Sequence, residues 1–393
     1  MINELTLRMR RHQFAVGRPQ MKNTINSILD VGNAIGSPVR DHGRRRVFDL
    51  ARGLAVFFMV LIHVVEVYGR PEVQTGTMGK ILLFLGQAPA APVFMFLMGV
   101  GITFARTPKP TYFLKRGIEI FLLGYVLNFL RGSLPLWVAL RLGHVTLEEA
   151  APYTPLSELL VSDIFQFAGI ALPLCGLVYC RRVHPYVILA VAVMIAFLSP
   201  VLWGFEFGVP GVDWVLSLLW GDGKDIYFPV FPWIAYPLFG VALGMFAQDR
   251  ELAFGKIRHF LWWGVGLIIL GLALRGAFPA LGSERYARSG PGTILWMCGF
   301  VLVWLRMCAW LVQKMRPQAL LDLLYLWSEH VTRFYFIHWV LVGWGIGLFG
   351  AESNNEPMLV VLMLGVLLLS DLLTRASLVW SSRPRRAAEH TTT

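Results

Sequence analysis

The sequence predicts an all-α, polytopic membrane bundle of about ten transmembrane helices. Three observations lead there. Only 15% of the 393 residues are charged while 56% are hydrophobic, against a quarter charged in ordinary soluble domains. Mean hydropathy is +0.59. The apolar residues fall in runs long enough to cross a hydrocarbon core, separated by loops whose charge sign alternates. The net charge of +11 does not indicate nucleic acid, because the basic residues concentrate in the tails and in alternate loops.

Residues 1–46 read as a basic N-terminal tail on the cytoplasmic side, 47–380 as the membrane domain and 381–393 as a basic cytoplasmic C-terminal tail. The tail from Met1 to Arg46 lacks the apolar core of a cleavable signal. Within it, Asn23 to Ile35 has the pattern of a short amphipathic helix lying on a lipid surface. Spans are expected at about 49–68, 80–105, 116–132, 159–180, 185–203, 228–247, 260–276, 293–312, 333–350 and 357–378. The second contains Pro89 and Pro92, which predict a break or kink. Its run Phe94 to Gly101 supplies small residues for close helix packing. The segments Gly132 to Ser157 and Gly204 to Tyr227 read as long loops, the latter with an apolar piece, Val212 to Trp220, too short to span.

Connections after the even-numbered spans carry Lys109, Lys115, Arg116, Arg181, Arg182, Arg250, Lys256, Arg258, Lys314 and Arg316. Connections after the odd ones carry most of the acids, Glu72, Glu148, Glu149, Glu206, Asp213, Asp225 and Glu352 among them. The positive-inside rule then places both termini in the cytoplasm. Cys175, Cys180, Cys298 and Cys308 fall in or at the ends of spans, and none stands with His at metal-ligand spacing, so neither a disulfide framework nor a metal site is expected.

Ionisable residues within spans are costly and therefore candidates for function. The first span holds Asp49 and Arg52 near its start and His63 near its end. Eleven residues is roughly three helical turns, so Arg52 and His63 share a face about 16 Å apart along the axis. Asp49 and Arg52 either anchor the helix at the headgroups or belong to a site, and His63 is either a satisfied interior histidine or a catalytic base. Glu66, three residues after His63, can orient the imidazole and raise its basicity, or can simply face water. Arg116, Glu119, Asp163, Arg306, His338 and Asp371 complete the short list, with Gln166 beside Asp163. No Gly-x-Ser-x-Gly elbow, Walker loop or His-Glu-x-x-His is present, which leaves His63 as the strongest single base or nucleophile.

Two sets of motifs resemble known membrane acyltransferases. Arg46-Val-Phe-Asp-Leu-Ala-Arg-Gly-Leu-Ala, with Arg52 and then ten residues before His63, is similar to the opening helix of acyltransferase-3-type sugar O-acetyltransferases. The stretch Asp225 to Gly244, around Phe228-Pro-Val-Phe-Pro-Trp233, resembles bacterial proteins related to heparan-α-glucosaminide N-acetyltransferase. Leu114 to Gly124, Asp163 to Gly169 and Phe334-Tyr-Phe-Ile-His338 fit the third, fourth and late helices of that group.

The resemblance implies an integral protein of the bacterial inner membrane that moves an acyl group, usually acetyl, from cytoplasmic acyl-CoA to a sugar or glycan at the outer face. Acyl-CoA is a co-substrate, and no cofactor is held permanently. His63 would serve as base or acyl carrier. Arg52 and Arg116 would hold the donor's phosphates, for which guanidinium forks are suited; their alternative role is headgroup anchoring. Trp233 would shape the site, and His338 would either line it or pack in the core. The heparan enzyme places its active histidine in a loop after the first helix, whereas His63 lies within the helix, so N- and O-transfer both stay open. Membrane lipids are implied partners, and a homodimer is compatible with such a bundle. A transporter or flippase of a glycan or lipid intermediate would share the membrane histidine and acidic loops, and a non-catalytic scaffold is the third reading.

Overall fold

The structure, a computed structural model, describes residues 42–106, 108–221, 223, 225–249, 258–281, 288–315 and 318–382. The Asn23 to Ile35 segment and nearly all of both tails lie outside the described residues. Among those residues the fold is all-helical, with two isolated β-bridges.

All ten expected spans are helical. We number the helices that matter here: α1 His42–Tyr68, α2 Thr77–Gln87, α3 Ala91–Thr103, α4 Pro110–Asn128, α5 Ile164–Cys180, α6 Pro185–Leu202, α7 Ala235–Asp249, α8 Arg258–Ala277, α9 Pro291–Lys314, α10 Gln318–Glu329, α11 Val331–Phe349 and α12 Glu356–Ser382. Among the described residues nine apolar helical segments are long enough to cross a membrane, and α5, at 17 residues, falls just short of that length. α2 and α3 form one span broken at residues 88–90, as Pro89 and Pro92 require.

Sequence reading missed two features. Residues 132–141, expected to be loop, continue the third span: α4 passes through a π-helical turn, Phe129–Ser133, into the helix Leu134–Arg141. Pro135 does not stop it: it falls in the first turn after the π-turn, where the Leu130 carbonyl accepts the Trp344 Nε1–H. The connection between α9 and α11 holds α10, an amphipathic helix whose Leu321, Leu324, Trp327 and Ser328 form a buried face against α1.

Two apolar cores meet along α1. One joins α1 to α9, α10 and α12, through residues such as Val56, Val60, Leu305 and Leu359. The other joins α3, α4, α5, α6, α7 and the start of α9, through Phe167, Trp233 just before α7, Tyr236 and Ile294. Lipid tails are as apolar as leucine, so such helices adhere by close contact. Gly99 of α3 lies on the Pro237 carbonyl and Gly240 of α7 on the Phe96 carbonyl. A Cβ at either position would collide with backbone, which neither helix can move aside alone.

Candidate functional site

α1 and α11 pack against each other and bring two imidazoles together. His63 Nδ1 lies 2.9 Å from His338 Nε2. The ring planes agree to within 7° and the centroids are 5.2 Å apart. That separation is the nitrogen–nitrogen distance plus a ring radius at each end, so the rings meet edge to edge. His338 is fully buried, and its Nδ1 lies 3.3 Å from the Phe334 carbonyl. A carbonyl only accepts, so the hydrogen-bond network assigns the proton to His338 Nδ1 and leaves Nε2 as acceptor. His63 then donates from Nδ1, and its Nε2 carries a lone pair free of protein partners among the described residues. The partner of His63 Nδ1 is therefore His338 of another helix and not Glu66. Glu66 is exposed one turn on, and no hydrogen bond or ion pair joins it to His63 among the described residues.

Three more side chains of one face of α11 and its surroundings enclose the pair. Tyr335, His338 and Trp339 follow the i, i+3, i+4 spacing that puts residues on one side of a helix. The Trp339 indole packs on His63 with centroids 4.1 Å apart. Tyr335 stands edge-on to both imidazoles, at 6.4 Å from His63 and 5.2 Å from His338. The Arg131 guanidinium lies over the Trp339 ring, 4.3 Å from its centroid, at cation–π distance.

Asp163 ties these parts together. It caps α5, where Oδ1 accepts the Ile164 N–H at 2.7 Å and Gln166 Oε1 accepts the Asp163 N–H at 3.1 Å. Its Oδ2 meets Arg131 Nη1 at 2.8 Å and accepts the Tyr335 hydroxyl at 3.2 Å. Gln166, fully buried, thus shapes the helix start rather than facing the imidazoles. The segment before Asp163 is pinned by a bridge in which Ser162 N–H donates to the Asp225 carbonyl and Tyr227 N–H to the Ser162 carbonyl, both at 2.9 Å. Arg131 sits in the π-turn, a feature common at functional sites. The turn lets Leu130 offer its carbonyl to Trp344 Nε1 at 3.0 Å. Gly343 of α11 lies directly on the Arg131 carbonyl.

Arg52 faces a cavity of about 130 Å³ whose walls also include Met95, Met98, Ile120, Leu172, Ser328 and Tyr335. Tyr335 is therefore shared between this cavity and the imidazole pair. Arg52 reaches the Leu97 carbonyl at 3.5 Å and Asp49 at 3.7 Å, and Asp49 accepts the Ser328 hydroxyl at 3.1 Å, which couples α1 to α10. Arg116 does not line this cavity. It pairs with Glu119 at 2.7 Å, one turn before the wall residue Ile120. Trp233 is fully buried against Phe167, Phe228 and Tyr236 and supports α5 from behind, away from the cavity wall.

In the loops near Arg131, burial pushes the Glu158 carboxyl above its ordinary value, opposed by Arg131 and reinforced by Asp225. Burial likewise pushes the Tyr227 hydroxyl up to about 12. Both groups therefore stay protonated over a wider pH range than when exposed.

A hydrogen-bonded pair of titratable rings inside a bundle of apolar helices marks a candidate site in a polytopic membrane protein, since ionisable groups at bilayer depth are functional candidates by default. Residues 44–271 match the family described as heparan-alpha-glucosaminide N-acetyltransferase, catalytic, and the chain belongs to that family of membrane acetyltransferases. Its members use acetyl-CoA as donor. No curated protein and no solved structure matches the chain. The matched residues include His63, Arg131 and Asp163, whereas Tyr335, His338 and Trp339 come from beyond them.

Proposed function

We propose that the protein transfers an acetyl group from acetyl-CoA, bound from the cytoplasmic side, to a hydroxyl or amine of a sugar or glycan at the opposite face of a bacterial inner membrane. The observation that carries this reading is the edge-to-edge hydrogen bond between His63 and His338, which leaves one imidazole nitrogen free to take a proton. In the transfer, His63 Nε2 accepts the proton of the acceptor group as that group attacks the thioester carbonyl. The carbon–sulfur bond then breaks, and the CoA sulfur leaves with the proton returned from His63. His338 holds the imidazole in the productive tautomer, and its own buried contact with Phe334 fixes it in turn. An acyl-His63 intermediate formed at the same nitrogen is the variant in which the imidazole attacks first.

Arg52 is the donor-side cation, because it opens onto the cavity that ends at Tyr335. Arg116, one turn from that cavity and paired with Glu119, belongs to the outer part of the donor path. The alternation of basic and acidic loops supports the reading that both termini lie on the cytoplasmic side. The test is direct. Purified protein is incubated with labelled acetyl-CoA and a panel of amino sugars and glycans, beside His63→Ala. Label should move to an acceptor with the unaltered protein and not with the variant. Transfer that survives His63→Ala, or no transfer to any acceptor, rejects the reading.

A further inference from the structure

Acyl transfer passes through a tetrahedral carbon bearing an oxyanion, and that charge needs a fixed hydrogen-bond donor. Around the imidazole pair most neutral donors are already committed; the exception is the Trp339 Nε1–H, which is buried without a hydrogen-bond partner among the described residues but carries no charge. The backbone N–H groups of α1 and α11 lie within helices and are used by the helices themselves. The Tyr335 hydroxyl donates to Asp163, and the Ser328 hydroxyl to Asp49. Arg52 is about three turns from His63 on the same helix.

Arg131 is different. A guanidinium carries five N–H donors. One nitrogen of this one faces Asp163, and among the described residues no other protein acceptor is hydrogen-bonded to it. The side chain is only 11% exposed. It is held on three sides: by the Asp163 carboxylate, by the Trp339 ring beneath it and by the π-turn that carries it. The same indole packs against His63. A cation held rigidly on the ring that also carries the base, with N–H groups to spare, has the fixed geometry that transition-state stabilisation requires.

Resting on the acetyl-transfer reading above, we infer that Arg131 is the oxyanion donor of the reaction and that Asp163 is the positioning residue that aims it. The thioester oxygen meets the free guanidinium N–H groups as negative charge develops on it. Nothing is lost or gained by Arg131, which stays protonated throughout. Asp163 fixes its orientation and offsets its charge, so that the empty site does not hold an unpaired cation at bilayer depth.

The experiment compares Arg131→Gln, Arg131→Lys and the double change Arg131→Gln with Asp163→Asn in full-length protein in detergent or vesicles. Each is assayed for acetyl transfer and for binding of a non-cleavable ketone analogue of acetyl-CoA. Removing one oxyanion donor lowers kcat by 100-fold or more. Arg131→Gln should therefore lose about that factor in kcat while KM for acetyl-CoA and analogue binding stay within about threefold. Arg131→Lys should recover part of kcat. The double variant, which leaves no unpaired buried charge, keeps the test usable if Arg131→Gln alone does not fold, and it should remain as slow as Arg131→Gln. Full kcat in the double variant, or a loss expressed only in KM, overturns the inference. If the unaltered protein transfers acetyl and His63→Ala does not, yet Arg131→Gln is fully active, only the role of Arg131 falls. If the unaltered protein transfers nothing, the acetyl-transfer reading and this inference fall together.

Discussion

The His63 and His338 rings share a plane to within 7° and a single hydrogen bond of 2.9 Å. Neither ring can rotate without breaking that bond or the contact of His338 with Phe334. The orientation of His63 is therefore set from α11 and not from its own helix.

His338→Gln keeps a donor and an acceptor but loses the planar relay. Acetyl transfer should fall roughly 100-fold, the scale of a positioned acid–base group. Binding of acetyl-CoA should change little, since the wall of the Arg52 cavity does not include His338. Equal losses in binding and turnover would mean that His338 only packs.

Arg52→Ala addresses the donor side. A hydrogen bond to a charged group contributes on the order of 1.5–3 kcal/mol, so apparent KM for acetyl-CoA should rise roughly tenfold or more. Arg52→Lys should restore only part of this, because a point charge does not reproduce the fork. Steady-state kinetics over a range of acetyl-CoA concentrations decide it, and an unchanged KM leaves Arg52 as a headgroup anchor.

Gly343→Ala sends a methyl group into the Arg131 carbonyl. Both partners are backbone of packed helices, so the helices must part. Overpacking of this kind costs about 1–3 kcal/mol. Thermal unfolding in detergent should begin several degrees lower, and Gly347→Ala, at a position with open space around it, is the matched control.

Glu158 should make stability depend on pH. Its carboxyl is raised in the fold by burial from an ordinary value of 4.5. A raised acid contributes stability that is present below that ordinary value and is lost as pH rises through the folded-state value. The unfolding temperature should therefore drop with rising pH above about 4.5, more steeply than in Glu158→Gln. Parallel curves for the two proteins would remove Glu158 as the cause.

Much of the bundle was legible in the sequence because a span is a long, local signal. Apolar length located the helices, nine of them long enough to cross a membrane among the described residues, and Pro89 and Pro92 gave the break within the second span. The amphipathic α10 was missed because a short helix with a narrow apolar face looks like a basic connection when only long runs are sought. The continuation beyond Gly132 was missed because Gly and Pro punctuate it, and a π-turn has no composition of its own. At the site, His63, Asp163 and His338 stood out as ionisable residues in apolar surroundings. Arg131 fell at the very end of the expected third span and was not singled out, since its buried place beside Asp163 follows from the π-turn and the helix beyond it. Tyr335 and Trp339 are ordinary residues of an apolar helix, and only their spacing relative to His338 marked them. Of the two readings of Glu66 the structure favours the one in which it faces water: it is exposed, and His63 Nδ1 bonds instead to His338 of another helix.

The two halves of the imidazole pair are separated by 275 residues. His63 is among the first parts of the membrane domain to leave a ribosome and His338 among the last. Throughout most of synthesis the first helix therefore sits in the membrane with its ring unclasped. The dyad closes only when α11 docks on α1, so the pair is complete only once nearly all of the membrane domain has been made. Chains halted before α11 contain the whole family-matched segment, residues 44–271, and still lack one of the two rings.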